Sequence, residues 1–359
     1  MKKLLMITFS GHASFHDHVF SMYQQLKDKY QVWTLTNSRT DYPGIHEKYN
    51  LYTSAPSNPG ISKETLNIKE IRKIISDISK IDPDIVYFES FHTWNYPIIF
   101  YCKRHNIVVA HAIHDVTIHK GDSHRQIKKM LNYSYASLSD RLITRSEASY
   151  EEAKALYPKF VKKIRTVDLW YSFPNYKKTR GEYVLFFGRM NPYKGIAELY
   201  SLIQCTPKLS YVVAGKSDDT VKDILDNIRK LPNVRVVDSI VPYEDMQMYF
   251  ANARCVVLPY KSATQSGVIL DSYRYSKPVV AFNVGALGEE IEDGITGYVV
   301  PSGDVSGMAE KVKQIVEMND SDYDDFCRNA YEYGFGRYSA ESQMNNFISA
   351  IGLEEDKAK

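Results

Sequence analysis

Residues 255–278, CVVLPYKSATQSGVILDSYRYSKP, hold the pattern that decides the fold. The apolar run at 255–260 is typical of a buried β-strand, and the run at 268–275 has the spacing of a helix. Between them lies Ala263-Thr-Gln-Ser-Gly267, which is small, polar and uncharged. Such a turn is either a plain connector or an anion site, because free backbone N–H groups and the helix dipole converge at a helix start. The stretch alone leaves both interpretations open.

The same alternation of strand and helix recurs along the whole chain. In the first half, strands are predicted at Leu4–Phe9, Tyr30–Thr36, Asp84–Phe88, Ile107–Ala112 and Arg141–Thr144, with helices at Asp17–Lys29, Lys63–Ile81, Ile98–His105 and Glu147–Leu156. In the second half, strands are predicted at Tyr183–Phe187, Leu209–Ala214, Val234–Val237, Cys255–Leu258 and Pro278–Phe282, with Val299–Pro301 as an edge strand. Strands and helices that alternate in this way indicate parallel sheets with right-handed crossovers.

A polar stretch at 173–182 interrupts the pattern and reads as a linker. The sequence therefore predicts two doubly wound α/β domains that face a cleft, residues 1–172 and 173–336. Residues 337–359 hold a last helix, at Ala340–Ile351, and a polar tail. In doubly wound sheets, ligands bind at the carboxyl ends of the strands.

The charges are unevenly distributed between the two halves. Residues 1–180 carry 27 Lys and Arg against 17 Asp and Glu, whereas residues 181–359 carry 18 against 26. A basic first half suits an anionic partner such as a phosphorylated lipid, an anionic membrane face or a nucleic acid. The alternative is that charged surface residues are simply distributed unevenly between the two halves. Since no aromatic-studded basic stripe or nucleic-acid motif is present, we do not expect a nucleic-acid partner.

The chain has the features of a cytoplasmic protein. No apolar run approaches the roughly 20 residues that a bilayer-spanning helix needs. The start, MKKLLMITFSGH, lacks the length and the cleavage site of a signal peptide and is typical of a buried strand. The cysteines are far apart and indicate reduced thiols: Cys102, Cys205, Cys255 and Cys327.

Three glycine-containing strand ends in the second half point to a phosphate-bearing ligand. The first is Gly188-Arg-Met-Asn-Pro-Tyr-Lys-Gly195, in which Arg189 and Lys194 lie five apart across a turn and can both reach one anion. The planar guanidinium of Arg189 and the compact ammonium of Lys194 together suit a diphosphate. The alternative is that both are surface cations on a solvated loop. The second strand end holds Gly215, and the third is the turn before Gly267. Neither the dinucleotide fingerprint nor the P-loop motif occurs, which disfavours NAD and ATP chemistry.

The order of these blocks resembles glycosyltransferase family four. GRMNPYKG, VVAGKS, the segment 233–260 and the segment 263–304 are similar to the donor-binding half of that family. The first half resembles it more loosely, through VAHAIHDVTIHKGD and DRLITRSEASYEE. The resemblance implies the GT-B fold of two Rossmann-like domains, with the last helix crossing back to the first domain. It also implies retaining sugar transfer from a nucleotide-diphosphate sugar, without a metal or other cofactor.

The resemblance assigns donor-binding parts to individual residues. Arg189 and Lys194 match the pair that neutralises the donor diphosphate during catalysis. Ser266 and Gly267 match the helix start whose amides face the phosphates. The remaining donor-binding positions are the strand-end glycines Gly188 and Gly215, and Ile240, Val241 and Tyr243 of the segment beside the nucleobase.

One donor-site position departs from the family pattern. Asp271 falls where the family has the second Glu of a Glu-x7-Glu motif, which holds the ribose hydroxyls. Eight residues earlier stands Ala263, where the first Glu would help to hold the donor sugar. Sugar recognition must therefore differ, and Thr264 and Gln265 could supply neutral hydrogen bonds instead.

The first half should bring the acceptor. In the family, a His at the position of His114 points at the donor sugar near the reacting carbon, and His114 is the candidate for that catalytic role. A hydrogen-bonded structural histidine and a metal ligand are the alternatives. The acceptor-binding candidates follow predicted strand ends: Gly11, His12, His16, Glu89, His92 and Asp115. The spacing of His12, His16 and His18 resembles a metal cluster, but no carboxylate or cysteine set completes it, and no metal is expected.

The sequence therefore predicts a hexosyltransferase that uses a UDP- or GDP-sugar. The acceptor is expected to be a saccharide, lipid-pyrophosphate-linked, as in capsule, exopolysaccharide or cell-surface glycan synthesis. The basic, amphipathic segment 63–81 fits a protein bound peripherally to the inner face of the plasma membrane, although a solvated helix face explains it nearly as well. A non-catalytic, sugar-nucleotide-binding partner subunit and a metal-dependent hydrolase are the alternatives.

Overall fold

The chain forms two compact units, which we describe separately. The structure, a computed structural model, describes residues 2–40, 42–48, 50–56, 60, 62–114, 116, 125–177, 179–263 and 266–354. The first unit comprises Met1–Ser172 together with Tyr338–Lys359, and the second comprises Phe173–Arg337. Each is built around its own parallel sheet.

The first unit contains a seven-stranded sheet in which every described pair is parallel. Its strands are β1 Lys3–Thr8, β2 Gln31–Asn37, β3 Leu51–Thr53, β4 Ile85–Phe88, β5 Val108–Ile113, β6 Arg141–Thr144 and β7 Ile164–Thr166. They lie in the order β3-β2-β1-β4-β5-β6-β7. The strand order reverses between β1 and β4, which is the topological switch point of a doubly wound sheet.

Helices connect these strands, and one more arrives from the far end of the chain. They are α1 Ala13–Leu26, α2 Ile45–Lys48, α3 Ile68–Ile81, α4 Asn95–Arg104, α5 Arg125–Leu138 and α6 Glu147–Leu156. The helix α13 Ala340–Ile351, the last helix of the described residues, belongs to the first unit and packs on α1. Phe347 of α13 is fully buried there against Tyr87 and Trp170.

The second unit repeats the architecture with six parallel strands. These are β8 Tyr183–Phe187, β9 Tyr211–Ala214, β10 Val234–Val237, β11 Ala253–Leu258, β12 Val279–Phe282 and β13 Gly297–Val300, in the order β10-β9-β8-β11-β12-β13. The helices are α7 Ile196–Cys205, α8 Lys222–Arg229, α9 Tyr243–Ala251, α10 Gly267–Arg274, α11 Val305–Glu317 and α12 Asp320–Tyr338. The switch point lies between β8 and β11.

The apolar runs of the sequence explain the burial of the central strands. All six residues of β11 are buried, as are all four of β4. Both faces of a doubly wound sheet are covered by helices, so its central strands carry continuous apolar runs rather than alternating ones. The predicted fold class, two doubly wound α/β domains, is confirmed.

Several predicted boundaries shift for identifiable local reasons. The helix predicted from Lys63 begins at Ile68, because the side chain of Asn67 accepts a hydrogen bond from the N–H of Glu70 at 3.2 Å and caps it. Residues 64–66 form a separate 3₁₀ turn. The strands β3 and β7 were not predicted, since three residues are too few to show a periodicity.

Candidate active site

Two glycines shape the carboxyl edge of the second sheet. Gly188 follows β8 with φ +108°, and Gly215 follows β9 with φ +144°. The N–H of Gly188 donates to the carbonyl of Ala214 at 2.9 Å, and a Cβ at Gly215 would lie 2.0 Å from the carbonyl oxygen of Gly188. Neither position tolerates a side chain without strain. The two strand ends therefore present bare backbone side by side.

The turn after β8 fixes Lys194. Asn191 accepts a hydrogen bond from the N–H of Lys194 at 3.2 Å, so the chain tightens into a short 3₁₀ turn. Gly195 closes the turn with φ +73°, at a position where a Cβ would lie 1.7 Å from the carbonyl oxygen of Pro259. The turn thus packs directly against the residues after β11. There the ammonium of Lys194 lies 3.9 Å from the centroid of the buried Tyr260 ring.

Lys194 and Arg189 form a concentration of positive charge. Lys194 is half-buried and Arg189 is exposed. Burial and, to a smaller extent, the neighbouring charge of Arg189 together lower the pKa of Lys194 to about 8. Within the described residues, no carboxylate lies within 4.0 Å of either side chain. Two adjacent cations without a paired carboxylate are what an anionic ligand would neutralise.

The start of α10 lies close to the same strand ends. A Cβ at Gly188 would be 3.8 Å from the side chain of Val268, in the first turn of α10. Ser266, buried and extended, precedes the helix, which begins at Gly267 and has no acidic residue in its first turn. The structure therefore brings together the predicted helix-start amides and the strand-end glycines. The predicted positions Thr264 and Gln265 lie outside the described residues.

The segment predicted beside the nucleobase is anchored by Asp238. Its carboxylate accepts hydrogen bonds from the N–H and the hydroxyl of Ser217 at 2.9 and 2.8 Å, and from Arg229 at 3.1 Å. Burial would raise the pKa of Asp238, but these donors hold it below its usual range. Downstream, Ile240 is 79% exposed and Val241 is half-buried. The segment is thus anchored at Asp238, close in the chain to the exposed apolar side chain of Ile240.

Asp271 and Tyr243 lie on neighbouring helices of the second unit. Asp271 is buried in α10, four residues after its first residue. Arg274, on the same helix, donates to the Tyr243 hydroxyl at 3.0 Å and so joins the start of α9 to α10. Ala263, the position of the departure from the family pattern, has a close backbone neighbour. A Cβ at Gly285 would lie 1.7 Å from its carbonyl oxygen.

In the first unit, the loop after β1 is held to β2 by His16. Gly11 accepts a hydrogen bond from Thr40 through its carbonyl at 3.0 Å, and His12 is exposed. His16 is fully buried: Nε2 lies 2.8 Å from the carbonyl of Ser10, and Nδ1 lies 2.7 Å from the Thr36 hydroxyl. Since the carbonyl can only accept, Nε2 carries the proton. Of the predicted acceptor contacts on this loop, the structure places His12 at the surface and His16 inside.

His92 is likewise an internal residue. It is 1% exposed, with Nε2 3.3 Å from the carbonyl of Pro56, while Nδ1 accepts from the N–H of Trp94 at 3.1 Å. Burial lowers the pKa of His92 to about 4. Its neutral ring is therefore engaged at both nitrogens, and the structure does not present it to an acceptor.

Glu89, directly after β4, is the centre of a buried polar network. Its Oε1 lies 2.9 Å from Nδ1 of His18 and 2.9 Å from Nε2 of His114. Its Oε2 lies 2.6 Å from Nη2 of Arg145, and it also accepts a short hydrogen bond from the Tyr87 hydroxyl. All four donors point to one fully buried carboxylate. The sequence predicted that Glu89 contacts the acceptor directly. In the structure such a contact would have to displace these donors, because Glu89 is bonded inside the first unit.

The charges in this network balance. Burial alone would raise the pKa of Glu89, but Arg145 and the hydrogen bonds from the two histidines hold it well below its usual range. Burial lowers the pKa of His18 despite the nearby carboxylate, and burial raises the pKa of Tyr87 well above its usual value. Near neutral pH, the network therefore contains one carboxylate, one guanidinium, a neutral His18 and a protonated tyrosine.

His114 is the partly exposed member of the network, at 23% side-chain exposure. Besides its contact with the Glu89 carboxylate, its Nε2 lies 2.9 Å from the Glu89 backbone carbonyl. Phe15 meets the ring edge-on at a centroid distance of 4.8 Å, and His18 stacks on it at 6.0 Å. The predicted neighbour Asp115 lies outside the described residues.

The histidine spacing that resembled a metal cluster does not form one. His12 is exposed, His16 bonds to β2, and His18 turns to Glu89. His16 and His18 are two residues apart on a helix and so face different sides. Instead, ligand-type atoms of His18, Glu89 and His114 lie within 4.8 Å of one another, a set that could hold a metal ion.

Sequence reasoning missed Arg145 and Tyr87. Arg145 follows β6 and is 1% exposed, with its guanidinium 4.3 Å from the centroid of Trp170. A charged residue directly after the buried strand RLIT was a usable signal, because such a group needs a partner inside the protein. Tyr87 gave no signal, since a tyrosine in an apolar strand is ordinary.

Known families match the chain in both units. Residues 181–318 match the family described as Glycosyl transferases group 1. Residues 17–168 match the family described as Glycosyltransferase Family 4. Each match thus lies within one unit and covers most of its sheet.

Curated relatives align with part of the chain. A 41.2 kDa protein from the cps region of Klebsiella pneumoniae is 27% identical over 171 residues, which is 46% of this chain and 44% of that protein. The glycogen synthase of Mycobacterium tuberculosis is 24% identical over 256 residues, which is 66% of this chain and 60% of that enzyme. The chain therefore spans about half the length of the curated relatives it matches.

A solved structure aligns with nearly the whole chain. Anabaena Alr3699/HepE in complex with UDP-glucose shares 14% identity at a TM-score of 0.74, over 99% of this chain and 100% of that chain. At this identity the likeness establishes the fold, which is the GT-B fold, built of two doubly wound α/β units, as the sequence predicted. Since both units also match glycosyltransferase sequences in chain order, the chain belongs to the glycosyltransferases of the group 1 and family 4 type.

Proposed function

We propose that this chain transfers a hexose from a nucleotide-diphosphate sugar to a hydroxyl of a saccharide acceptor, with retention of the anomeric configuration and without a metal. The second unit binds the donor, and the first unit contributes His114 and the acceptor contacts. The acceptor is lipid-pyrophosphate-linked, in capsule, exopolysaccharide or cell-surface glycan synthesis. The protein acts at the inner face of the plasma membrane.

One observation supports the donor site above all: the cationic pair Arg189 and Lys194 at the strand ends of the second sheet. No carboxylate among the described residues lies within 4.0 Å of either charge. Bare backbone at Gly188 and the start of α10 lie beside them. A plain connector would not need two adjacent cations, one of them half-buried, next to a helix N-terminus. A diphosphate satisfies all of these groups together.

The same groups explain how the leaving group is stabilised. When the sugar–oxygen bond breaks, negative charge builds on the departing diphosphate. Arg189, Lys194 and the first N–H groups of α10 are fixed before the reaction and can stabilise that charge. The acceptor hydroxyl attacks from the face on which the diphosphate leaves, and its proton passes to the departing phosphate oxygen. No protein nucleophile is required, and His114 orients the sugar.

For the nucleobase and the sugar, we favour UDP and a hexose. The structural neighbour HepE has been solved with UDP and with UDP-glucose. In this chain, the exposed Ile240 and the segment anchored at Asp238 would lie beside the base. The absence of a carboxylate at Ala263 changes how the sugar is held, so UDP-glucose is a starting probe, and GDP-sugars remain candidates.

The cellular setting rests on two observations. The similar protein from Klebsiella pneumoniae is described as lying in a cps region. On the first unit, Leu66 ends the 3₁₀ turn before α3 and Ile68 is the first residue of α3, and they are 68% and 61% exposed. The sequence of α3, IKEIRKIISDISKI, is rich in lysine and arginine. None of the helices in the described parts of the chain is both long enough and apolar enough to cross a bilayer. The exposed apolar side chains and the basic helix that follows them fit contact with an anionic membrane surface.

A thermal-shift screen with UDP-, GDP-, ADP- and dTDP-sugars, without added metal, tests the donor site. A ligand that binds only the folded state raises Tm according to its affinity. We expect one nucleotide to raise Tm and Arg189→Ala to abolish the rise. Arg235→Ala, which removes an exposed arginine from β10, is the matched control and should keep it.

The screen also separates the alternatives. A nucleotide that binds without any release of UDP in the presence of saccharide acceptors would favour a non-catalytic partner subunit. Activity that a chelator abolishes would favour a metal-dependent hydrolase. If no nucleotide sugar changes Tm, or if Arg189→Ala leaves the shift intact, the proposed donor site is wrong.

A further inference from the structure

The network around Glu89 has a feature that donor and acceptor binding do not use. It places a buried ion pair directly behind His114. Glu89 and Arg145 are both 0% exposed in their side chains, whereas His114 is 23% exposed. Burying an ion pair costs free energy that well-packed apolar side chains would not cost. Such a pair therefore calls for an explanation other than stability.

The geometry determines which nitrogen of His114 holds the proton. Its Nε2 lies 2.9 Å from the Glu89 carboxylate and 2.9 Å from the Glu89 backbone carbonyl. The backbone carbonyl can only accept. The carboxylate also accepts, because the pKa of Glu89 is held well below its usual range and the group is ionised. Nε2 must therefore donate, and in the neutral ring Nδ1 carries the lone pair. The contacts of His114 with Glu89 both go through Nε2, so Nδ1 is the ring nitrogen that can accept a hydrogen bond from a substrate hydroxyl.

The ring is also held in position from three sides. Phe15 contacts it edge-on, His18 stacks on it, and the Glu89 carboxylate fixes Nε2. His18 is itself tied to the same carboxylate oxygen at 2.9 Å. The orientation of His114 thus depends on where that one carboxylate lies.

Arg145 in turn fixes the carboxylate. Its Nη2 lies 2.6 Å from Glu89 Oε2 and 2.6 Å from the Tyr87 hydroxyl, which itself donates to the same Oε2. With Oε2 occupied by these two donors, Oε1 is left for the two histidines. The indole of Trp170 covers the guanidinium at 4.3 Å, and Phe347 of α13 packs on both Trp170 and Tyr87.

We propose that Glu89 and Arg145 are positioning residues: they hold His114 in one orientation, with Nε2 protonated and Nδ1 ready to accept a hydrogen bond from the sugar. This rests on the proposed function, because it gives His114 its part in transfer. Glu89 and Arg145 touch neither donor nor acceptor. They act on the reaction through the histidine ring.

The alternative is that the same side-chain atoms bind a metal ion. The ligand-type atoms of His18, Glu89 and His114 lie within 4.8 Å of one another. However, both ring nitrogens lie at hydrogen-bond distance from a single oxygen, and Arg145 already neutralises the carboxylate. A divalent cation would place two further positive charges beside a buried guanidinium. We therefore favour the hydrogen-bonded network.

The first test reads the tautomer of His114 without any substrate. Long-range ¹H–¹⁵N spectra of the imidazoles show which ring nitrogen carries the proton, and the spectrum of His114→Gln identifies its signals. We expect the Nε2–H form in the wild type. In Glu89→Gln the backbone carbonyl of residue 89 can still accept from Nε2, but the side-chain amide now competes as a donor, so we expect a measurable population of the Nδ1–H form to appear beside the Nε2–H form. An unchanged Nε2–H form in Glu89→Gln would overturn the proposed hold on the ring. A ring that shifts on addition of Zn²⁺ would overturn it in favour of a metal site.

The second test measures the release of UDP from UDP-glucose. Glu89→Met combined with Arg145→Met replaces both charges by apolar groups of similar length, which preserves folding better than the loss of one partner. We expect kcat to fall about 10- to 100-fold, as for a misplaced catalytic group, with KM within about threefold. Trp94→Phe, which removes a buried hydrogen bond to the Thr65 carbonyl elsewhere in the first unit, should leave kcat near the wild-type value.

A double-mutant cycle then distinguishes positioning from a structural role. If Glu89 and Arg145 act through His114, the Met pair should lower kcat little further in a His114→Ala background. An equal fall in both backgrounds, or a kcat within twofold of wild type for the Met pair, would overturn the proposal. If the wild type releases UDP from no donor, the proposed function fails, and the tautomer spectra still decide the positioning of the ring.

Discussion

The carboxylate of Glu89 lies 2.6 Å from the guanidinium of Arg145, and neither side chain reaches solvent. Removal of one partner leaves the other charge buried and unpaired. We therefore expect Arg145→Ala to lower the free energy of unfolding of the first unit by about 3–5 kcal/mol. Urea denaturation followed by tryptophan fluorescence measures this, since Trp170 lies against Arg145.

An exposed ion pair provides the control. Lys154 and Glu151 lie 3.1 Å apart on α6, and both are about half exposed. Exposed pairs of this kind contribute little to stability. Lys154→Ala should leave the urea midpoint of the first unit unchanged. A urea midpoint for Arg145→Ala as high as that of Lys154→Ala would show that loss of the buried ion pair does not destabilise the first unit.

The close approach of Gly215 and Gly188 makes a second prediction. A Cβ at Gly215 would lie 2.0 Å from the carbonyl oxygen of Gly188, a residue whose N–H donates to the carbonyl of Ala214. Gly215→Ala should therefore destabilise the second unit and abolish the Tm rise with UDP. Gly303→Ala is the matched control, because Gly303 also has positive φ, at +81°, but nothing within 4 Å of a Cβ. Gly303→Ala should lower the free energy of unfolding only by the penalty for a side chain at positive φ, about 1–2 kcal/mol, and leave UDP binding intact.

Much of the fold was accessible from the sequence, because most strands carry their own apolar run, although the three-residue strands β3 and β7 do not. The strands at Tyr183–Phe187 and Val234–Val237 and the last helix have the bounds that periodicity predicts. The errors came from short elements and caps. The Asn67 cap decides that α3 begins at Ile68, whereas the segment predicted as a helix started at Lys63.

The candidate site was less accessible. Arg189, Lys194 and the α10 start could be found because they are neighbours of glycine turns in the sequence. The surroundings of Glu89 could not, since His18, Arg145 and His114 come from three separate segments that only the sheet order brings together. The polar strand ends of the first unit were therefore predicted to meet an acceptor. In the structure, Glu89 bonds to His18, His16 bonds to Thr36, and His92 accepts from the N–H of Trp94, all inside the unit.

Buried neutral histidines predict loss of stability in acid. Burial lowers the pKa of both His92 and His111 to about 4. Between pH 6.5 and 4 the unfolded chain therefore binds protons that the folded chain does not, so stability falls as the pH falls. Each histidine contributes up to about 1.4 kcal/mol per pH unit over that window.

Urea titrations at several pH values between 4.5 and 7 check this. His111→Gln keeps a donor for the carbonyl of Ala112 and should reduce the slope of stability against pH. His105→Gln removes an exposed histidine and should leave the slope as in the wild type. Equal slopes for the wild type and His111→Gln would contradict the assignment of a buried, neutral ring.

Membrane contact through the start of α3 makes a prediction about vesicles. We expect the protein to co-sediment with vesicles that contain anionic lipid and much less with neutral vesicles, with binding weakened by salt. Leu66→Ser combined with Ile68→Ser should reduce the bound fraction severalfold, because both side chains are mostly exposed. Leu156→Ser, at an exposed leucine of α6 next to Glu151 and Glu152, is the control and should bind like the wild type. If the Leu66→Ser/Ile68→Ser variant binds vesicles as well as Leu156→Ser does, the start of α3 does not contact the membrane.

Lys194 predicts a pH dependence of donor affinity. Burial, helped by the charge of Arg189, lowers the pKa of Lys194 to about 8 in the free protein. A bound diphosphate favours the ammonium form, so the pKa must rise on binding. Below pH 8 the charge is already present and affinity is full. Above pH 8 the proton must be taken up with the ligand, and the Kd for UDP should rise up to about tenfold per pH unit.

Calorimetric titration with UDP at pH 7, 8 and 9, in two buffers of different ionisation enthalpy, measures both the Kd and the proton uptake. At pH 8 we expect an uptake of about half a proton per UDP bound, because a group at its pKa is half protonated. Lys194→Arg is the matched variant, since a guanidinium stays charged throughout this range and should flatten the dependence. A Kd that rises equally with pH in wild type and Lys194→Arg would place the titrating group elsewhere and remove Lys194 from the diphosphate contact.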